Sequence, residues 1–409
     1  MVQAGFVREL LSADGRRDPF THYARLRAEG PVTPLDGTGG YQFLVSGYDA
    51  ANQALRDPAL RVEDAGYLDD RDGHHWRRHP VLLRLFNSVF CTNGADHARV
   101  RPLLTRVLTP RRVLQLEPAI GELTDALLDG MAELGADGSP VDFMSEFAYP
   151  LPSNVIGELL GIPEADRAWF RPRVRAIGEM IELDGRTWKL VRAADRATEE
   201  ISGYLTDLIA QRRAEPREDL VSALIQVQQE DPTRISDEEL LSNLLTVYNA
   251  GFVTTTHMFG HALIRALREP RWQEPLRTDD AFVPGYVEGV LRTEPTTQLV
   301  VRWAAEDTEV AGAQVTKGDR VLVALAAANR DPQRYPDPDT FDPTRPDIAP
   351  LTFSAGPHYC LGAALTRAEG RIALPMLMRR FPRMALAAEP ATPHQLVLRG
   401  YEQLYVTIG

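Results

Sequence analysis

Apolar residues recur three and four positions apart over most of this chain, so the amphipathic helix is the predominant predicted element. The period holds through residues 97–135 and 140–270, where LTDALLDGMAEL and EEISGYLTDLIAQRR are clear examples. The longest run opens at Ser236, which with Glu239 has the spacing of a capping box, and stops near Pro270. Such a run of about 30 residues spans about 45 Å as a helix, enough to cross the body of a domain. A period of two replaces the helical one in TTQLVVRWAAEDTEVAG and DRVLVALAAA, and residues 40–60 read as short strands followed by a helix. The closing LVLRGYEQLYVTIG predicts a terminal hairpin around Gly400. The sum is a mainly α fold with small β-sheets at one side. It lacks the regular strand–helix alternation of a dinucleotide-binding fold.

Composition narrows the classes. No internal repeat or low-complexity linker divides the 409 residues. A net charge of −12 argues against bulk affinity for nucleic acid or an anionic membrane. No stretch approaches the roughly 18 uninterrupted apolar residues of a membrane span, and the N-terminal MVQAGFVRELLSADGRRDPF lacks a signal-peptide core. Cys91 and Cys360 are the only cysteines, with neither a disulfide framework nor a zinc spacing. A soluble cytoplasmic protein is expected. Only Lys189 and Lys317 among 45 basic residues are lysine, a bias of genome composition rather than of physics.

Candidate chemistry concentrates in Phe353-Ser-Ala-Gly356-Pro-His358-Tyr-Cys360-Leu-Gly362, followed by a helical period to Arg379. A metal-binding thiolate needs its charge stabilised, and N–H groups at the start of a following helix do this. Gly356 and Gly362 allow tight turns and close approach of a flat group, while Phe353 excludes water. A buried structural cysteine beside a glycine turn is the bland reading. It does not account for Phe, two Gly, His and Cys in register.

The segment resembles the cysteine-ligand loop of cytochromes P450, F-x-x-G-x-H-x-C-x-G, in which a cysteine thiolate binds haem iron. The resemblance extends over almost the whole chain and implies a P450 fold over 1–409 as a single domain, β-rich at approximately 30–60, 297–325 and 390–409. Haem b (iron protoporphyrin IX) would lie between the long central helix and the loop, with Cys360 as axial ligand. His97-Ala-Arg-Val-Arg101 matches the family's H-x-x-x-R, whose side chains share one helix face. Arg302 and His358 match two further positions that contact haem propionates. Ala328-Asn-Arg-Asp331 through Tyr335-Pro-Asp-Pro and Phe341-Asp-Pro-Thr-Arg345 match the segment before the loop.

Two positions depart from the family. Ala250-Gly251-Phe-Val253-Thr254-Thr255 occupies the oxygen-binding motif A-G-x-[D/E]-T-[T/S], with Thr254 present and the acid replaced by Val253. In Tyr286-Val-Glu288-Gly289-Val-Leu-Arg292, Gly289 replaces the acid of E-x-x-R. Glu288 is one residue off, about 100° around the helix, and is expected to face elsewhere, with pairing to Arg292 at i, i+4 as the alternative. Arg292 and its expected second arginine, Arg345, then lack a carboxylate.

By resemblance, the substrate is a hydrophobic small molecule, and electrons come from ferredoxin and ferredoxin reductase. Arg99, Arg106, Arg111 and Arg112 are the candidate docking patch. The charged run 63–86 reads as a solvated, mobile lid rather than a metal site of His74, His75 and His79, with Trp76 and Phe86 toward substrate. The leading expectation is a monooxygenase with Ala250, Gly251 and Thr254 at the oxygen site. Radical coupling, desaturation or peroxide-driven oxidation is the alternative that the missing acid suggests. A non-catalytic P450-like auxiliary of a partner enzyme is the alternative from another class.

Overall fold

The computed structural model describes residues 5–183, 187–391, 393 and 395–409. The helices that frame the site are α1 (Ala65–Asp72), α2 (Pro80–Phe86), α3 (Gly94–Val107), α4 (Pro110–Leu134), α5 (Pro150–Leu160), α6 (Glu164–Gly178), α7 (Trp188–Ala214), α8 (Asp237–Arg268), α9 (Phe282–Thr293) and α10 (Ala363–Arg380). The strands are β1 (Val32–Pro34), β2 (Phe43–Val45), β3 (Leu60–Arg61), β4 (Val141–Asp142), β5 (Leu299–Ala304), β6 (Thr308–Val310), β7 (Ala313–Val315), β8 (Arg320–Ala324), β9 (Ala385–Leu386) and β10 (Tyr405–Thr407).

The predicted long helix is α8, continuous over 32 residues. Its capping box is formed: the Ser236 hydroxyl accepts from the Glu239 N–H at 3.2 Å, and the Ser236 N–H donates to the Glu239 carboxylate at 2.8 Å. Three acids in its first turn and Arg265 and Arg268 in its last suit the helix dipole. Residues 255–264 are buried without a break, and so on every side of the helix, and α8 is the axis of the main core. Helices α5, α6, α7, α9 and α10 pack around it.

Alternating residues 299–304 and 320–324 pair antiparallel, from Leu299 opposite Ala324 to Trp303 opposite Arg320. The sheet order is β1-β2-β8-β5-β3, with β2 parallel to β8. Residues Leu325–Ala328 continue the apolar run but turn into a short helix, as Leu-Ala-Ala-Ala favours.

The hairpin expected around Gly400 does not form. β10 pairs instead with β4 and β9, while Leu398 makes one bridge to Thr297. Gly400 marks a close approach, since a Cβ there would lie 2.0 Å from His257 Cγ on α8.

The charged run 63–86 is also more ordered than expected. Asp69 accepts from Trp76 Nε1 at 2.9 Å and pairs with Arg77 at 2.8 Å and His74 at 2.9 Å. Trp76 and Phe86 turn toward each other, ring centroids 5.4 Å apart, in a small core with Leu68 and Cys91. His79 takes a different partner, Asp195 on α7, at 2.8 Å, so the histidines of this run diverge. Among the described residues no helix is long and apolar enough to cross a membrane.

Candidate functional site

The Cys360 loop is fixed by its backbone. The Cys360 N–H donates to the Phe353 carbonyl at 2.9 Å, and between them Ser354 and Gly356 take positive φ of 62° and 68°. A Cβ on Gly356 would sit 2.8 Å from the Leu55 carbonyl oxygen, so only glycine lets the loop lie against the helix Tyr48–Arg56. Gly362 has another role. A Cβ added there would meet only the Cys360 sulfur, at 3.9 Å, so the missing side chain leaves that flank of the sulfur uncovered. Cys360 is accessible, yet atoms crowd it closely enough that burial is the strongest influence on its thiol and raises its pKa. The N–H groups of Gly362 and Ala363 and the guanidinium groups of Arg101 and Arg367 act the other way. They are the groups that favour a thiolate once a cation stands beside the sulfur.

Four basic side chains converge on the same loop. The His97 and His358 rings lie 4.4 Å apart, and Arg101 donates to the Tyr359 carbonyl. Arg302, on β5, donates to the Val301 carbonyl at 2.8 Å. Burial pushes the Arg302 guanidinium down to about 10. Burial, then Arg302, His97 and Arg101, push His358 down to about 3. His97 Nε2 is buried with no hydrogen-bond partner among the described residues. Positive groups satisfied by carbonyls, beside an orphaned imidazole nitrogen, form a receptor for carboxylates.

The turn Ala250–Thr256 of α8 faces the loop through the start of α10. The Thr254 hydroxyl donates to the Ala250 carbonyl at 3.1 Å, and Thr256 repeats this to Phe252 at 3.0 Å. Thr255 instead reaches Thr366 of α10, hydroxyl to hydroxyl at 3.1 Å. Gly251 packs closely on α5: a Cβ there would meet the tip of the Ile156 side chain at 2.9 Å, and that side chain would have to give way. Val253 packs against the core and brings no ionisable group.

The second departure is filled by neighbours. Arg292 is fully buried, and its guanidinium donates to the carbonyls of Pro338 and Thr340 at 2.7 Å and of Asn329 at 3.2 Å. Arg345 likewise donates to the carbonyls of Pro336 and Asp337. Burial and the nearby Arg345 and Arg330 push Arg292 down to about 10. The space above Gly289 holds the Phe341 ring, 2.9 Å from where a Cβ would be. Glu288 faces away, as its position on the helix predicts, and pairs with Arg367. Arg367 also lies over the Phe353 ring, 4.5 Å from its centroid, and reaches the Tyr359 hydroxyl at 3.3 Å.

Sequence reasoning missed Arg367 and Thr366, and it named Phe341 only as part of the segment before the loop, not as the ring over Gly289. Arg367 and Thr366 stand seven and six residues past Cys360 on the helix it precedes, within reach of the loop and of α8 respectively. No spacing signal announces Phe341. Of the proposed docking arginines, Arg99 is taken up by Glu239 and Asp96, and Arg112 by the Glu218 carbonyl. Arg106 and Arg111 are exposed.

A flat iron porphyrin with two carboxylates fits this donor set. The accessible sulfur suits the iron, the glycine at 362 leaves its flank uncovered, and the basic quartet suits the carboxylates.

Comparison with known proteins agrees with the geometry. The family profile described as Cytochrome P450 matches residues 6–398. Cytochrome P450 monooxygenase PikC of Streptomyces venezuelae is 38% identical over 93% of this chain and 88% of its own length. The 6-deoxyerythronolide B hydroxylase of Saccharopolyspora erythraea is 36% identical over 98% and 99% of the two chains. The crystal structure of P450BioI in complex with an acyl carrier protein ligated to hexadec-9Z-enoic acid superposes with a TM-score of 0.88, at 28% identity over 97% of this chain and 99% of that one.

Proposed function

The chain belongs to the cytochrome P450 family, and from that premise we propose a ferredoxin-fed haem-thiolate monooxygenase that inserts one oxygen atom from O2 into a hydrophobic natural-product intermediate. The observation that carries the reading is the accessible Cys360 beside four basic side chains, of which Arg101 and Arg302 donate to carbonyls and His97 keeps a buried ring nitrogen with no partner among the described residues. In this reading the Cys360 thiolate would bind the iron of haem b. His97, Arg101, Arg302 and His358 hold its propionates, and Phe353, Gly356 and Gly362 shape the loop beneath it. Haem supplies the iron that binds dioxygen and the oxidising power for oxygenating a C–H or C=C bond.

The protein's own part is proton handling and exclusion of water. The Thr254 hydroxyl commits its proton to the Ala250 carbonyl, so toward the cavity it offers lone pairs that hold a water as proton donor. Val253 supplies no proton. A water or a substrate hydroxyl at the Ala250–Thr254 turn must do so. Electron delivery is assigned to the face bearing Arg106 and Arg111, beside a cleft of about 400 Å³ between α4, α9 and α10 that exposes Leu114. Reversing both charges (Arg106→Glu with Arg111→Glu) should slow ferredoxin-driven reduction and spare peroxide-driven turnover; unchanged reduction removes this docking face.

Val253 favours one second reading, in which the same site performs coupling, desaturation or peroxide-driven oxidation. The auxiliary reading draws on Gly289, where Phe341 fills the volume and carbonyls take both terminal nitrogens of Arg292, its Nε alone having no partner among the described residues. The deciding experiment is the absorption spectrum of purified protein, reduced under carbon monoxide, followed by turnover under oxygen-18 gas. A red-shifted thiolate Soret band and labelled product are expected. Haem-free protein ends the reading, and unlabelled product shifts it to the second.

A further inference from the structure

The segment 396–399 is held by an acid from a distant element. Glu182 follows the short turn Glu179–Ile181 that ends α6, and it is buried. One carboxylate oxygen accepts the N–H groups of Val397 at 3.0 Å and Leu398 at 3.2 Å; the other accepts the N–H of Leu396 at 3.1 Å. Three successive amides aimed at one carboxylate form an anion nest. The strand pairing gives these amides no ladder, because Leu398 makes a single bridge. Without the acid, three buried donors would stand orphaned, each costly. The conformation of 396–398 therefore depends on Glu182.

That segment carries Thr296 beside it. The Gln298 N–H donates to Val397 at 3.0 Å and the Arg399 N–H donates to Thr296 at 2.8 Å. The Thr296 hydroxyl in turn donates to the Thr254 carbonyl at 3.0 Å. His261 of α8 reaches the Arg399 carbonyl at 3.1 Å, so the same ledge is pinned to the central helix twice. Hydrogen bonds run unbroken from Glu182 to the oxygen-site turn.

We infer that Glu182 is a positioning residue of the active site: through the ledge 396–399 and Thr296 it sets the wall against which ligands lie beside Thr254. The inference rests on the haem-thiolate reading for its role in catalysis, though the ledge itself does not. Two variants grade the nest, Glu182→Gln keeping one acceptor and Glu182→Ala keeping none.

In the haem-loaded protein, the bulky azole econazole and plain imidazole are titrated by the Soret shift, and amide exchange is followed at 396–398. Econazole should weaken about tenfold in Glu182→Ala and about threefold in Glu182→Gln, the scale of one or two lost charge-assisted hydrogen bonds. Imidazole, the small-ligand control, should bind within twofold of wild type, and exchange at 396–398 should accelerate in the same order, an expectation from the loss of protecting acceptors. Thr296→Val should weaken econazole less, and combining it with Glu182→Ala should be less than additive. Unchanged econazole binding with unchanged exchange overturns the inference, as does equal weakening of imidazole and econazole. If Glu182→Ala does not fold, Glu182→Gln decides by the same criteria. A wild-type protein without the thiolate band refutes the functional reading instead, and the exchange rates still decide whether Glu182 holds the ledge.

Discussion

The molecule lacks a family acid in two places, and it treats the two losses differently. At Gly289 the space is filled by Phe341, and the stranded Arg292 is surrounded by backbone carbonyls. At Val253 the side chain packs against the core, and the turn Ala250–Thr256 carries no acid of its own. A structural carboxylate satisfies donors and fills volume, and other groups can divide that work. A proton-relaying carboxylate must exchange a proton, and neither packing nor carbonyls can do that. Loss of one is a local rearrangement. Loss of the other changes what the substrate or solvent must provide.

The comparison is tested most strongly at Arg292. Arg292→Ala leaves three carbonyls unpaired and a void, so thermal or urea unfolding should show a loss of about 3–5 kcal/mol. A loss below about 1 kcal/mol would mean that the carbonyl cage contributes little. Restoring the acid should fail as a repair: Gly289→Glu forces the Phe341 ring aside and should destabilise by about 1–3 kcal/mol. Adding Phe341→Ala to it should recover part of that loss by letting the new carboxylate reach Arg292, and a double variant worse than the sum of the singles contradicts the filling argument.

Glu369 is the inverse case, a buried acid without a cation. Burial raises its pKa well above the ordinary value, and one of its oxygens has no partner among the described residues. The unfolded chain releases this proton above about pH 4.5 while the folded chain keeps it, so stability drains as pH rises, by about 1.4 kcal/mol per unit. Glu369→Gln should match wild type near pH 4.5 and exceed it at pH 8. Parallel stability curves for the two proteins would show that Glu369 does not hold its proton. The smallest effect on stability belongs to the oxygen site: Thr254→Ala should cost under about 1 kcal/mol in unfolding, yet send several times more electrons to hydrogen peroxide. Val253→Asp should reverse that leak where Val253 is what limits proton supply, and an unchanged peroxide yield would place the limit elsewhere.

Much of this was readable from the sequence, for identifiable reasons. The central helix follows from period and capping box, both local. The cysteine loop follows from spacing, because tight turns and a donor helix leave few alternatives. The orientation of Glu288 follows from helix geometry, but its partner Arg367 does not, since pairing depends on how α9 and α10 meet. Gly400 looked like a turn residue because a glycine at a turn and one at a close contact are identical in one dimension. Most of the charged run 63–86 is at least partly exposed, as expected, but Asp69 gathering Trp76, His74 and Arg77 leaves no periodic trace in the sequence. Phe341 lies 52 residues from Gly289, and nothing short of the packed core connects them.

The ring of Phe341 over Gly289 also makes this site historically entrenched. Return to an acid at 289 requires two substitutions, and either one alone is worse than none: the acid first collides with the ring, and removal of the ring first opens a void beside Arg292. Selection acting on single steps meets a fitness valley on both routes, although the doubly changed protein could be as stable as the present one. Drift in this lineage is therefore expected to vary the carbonyl-bearing loop 336–345 long before it restores the ion pair.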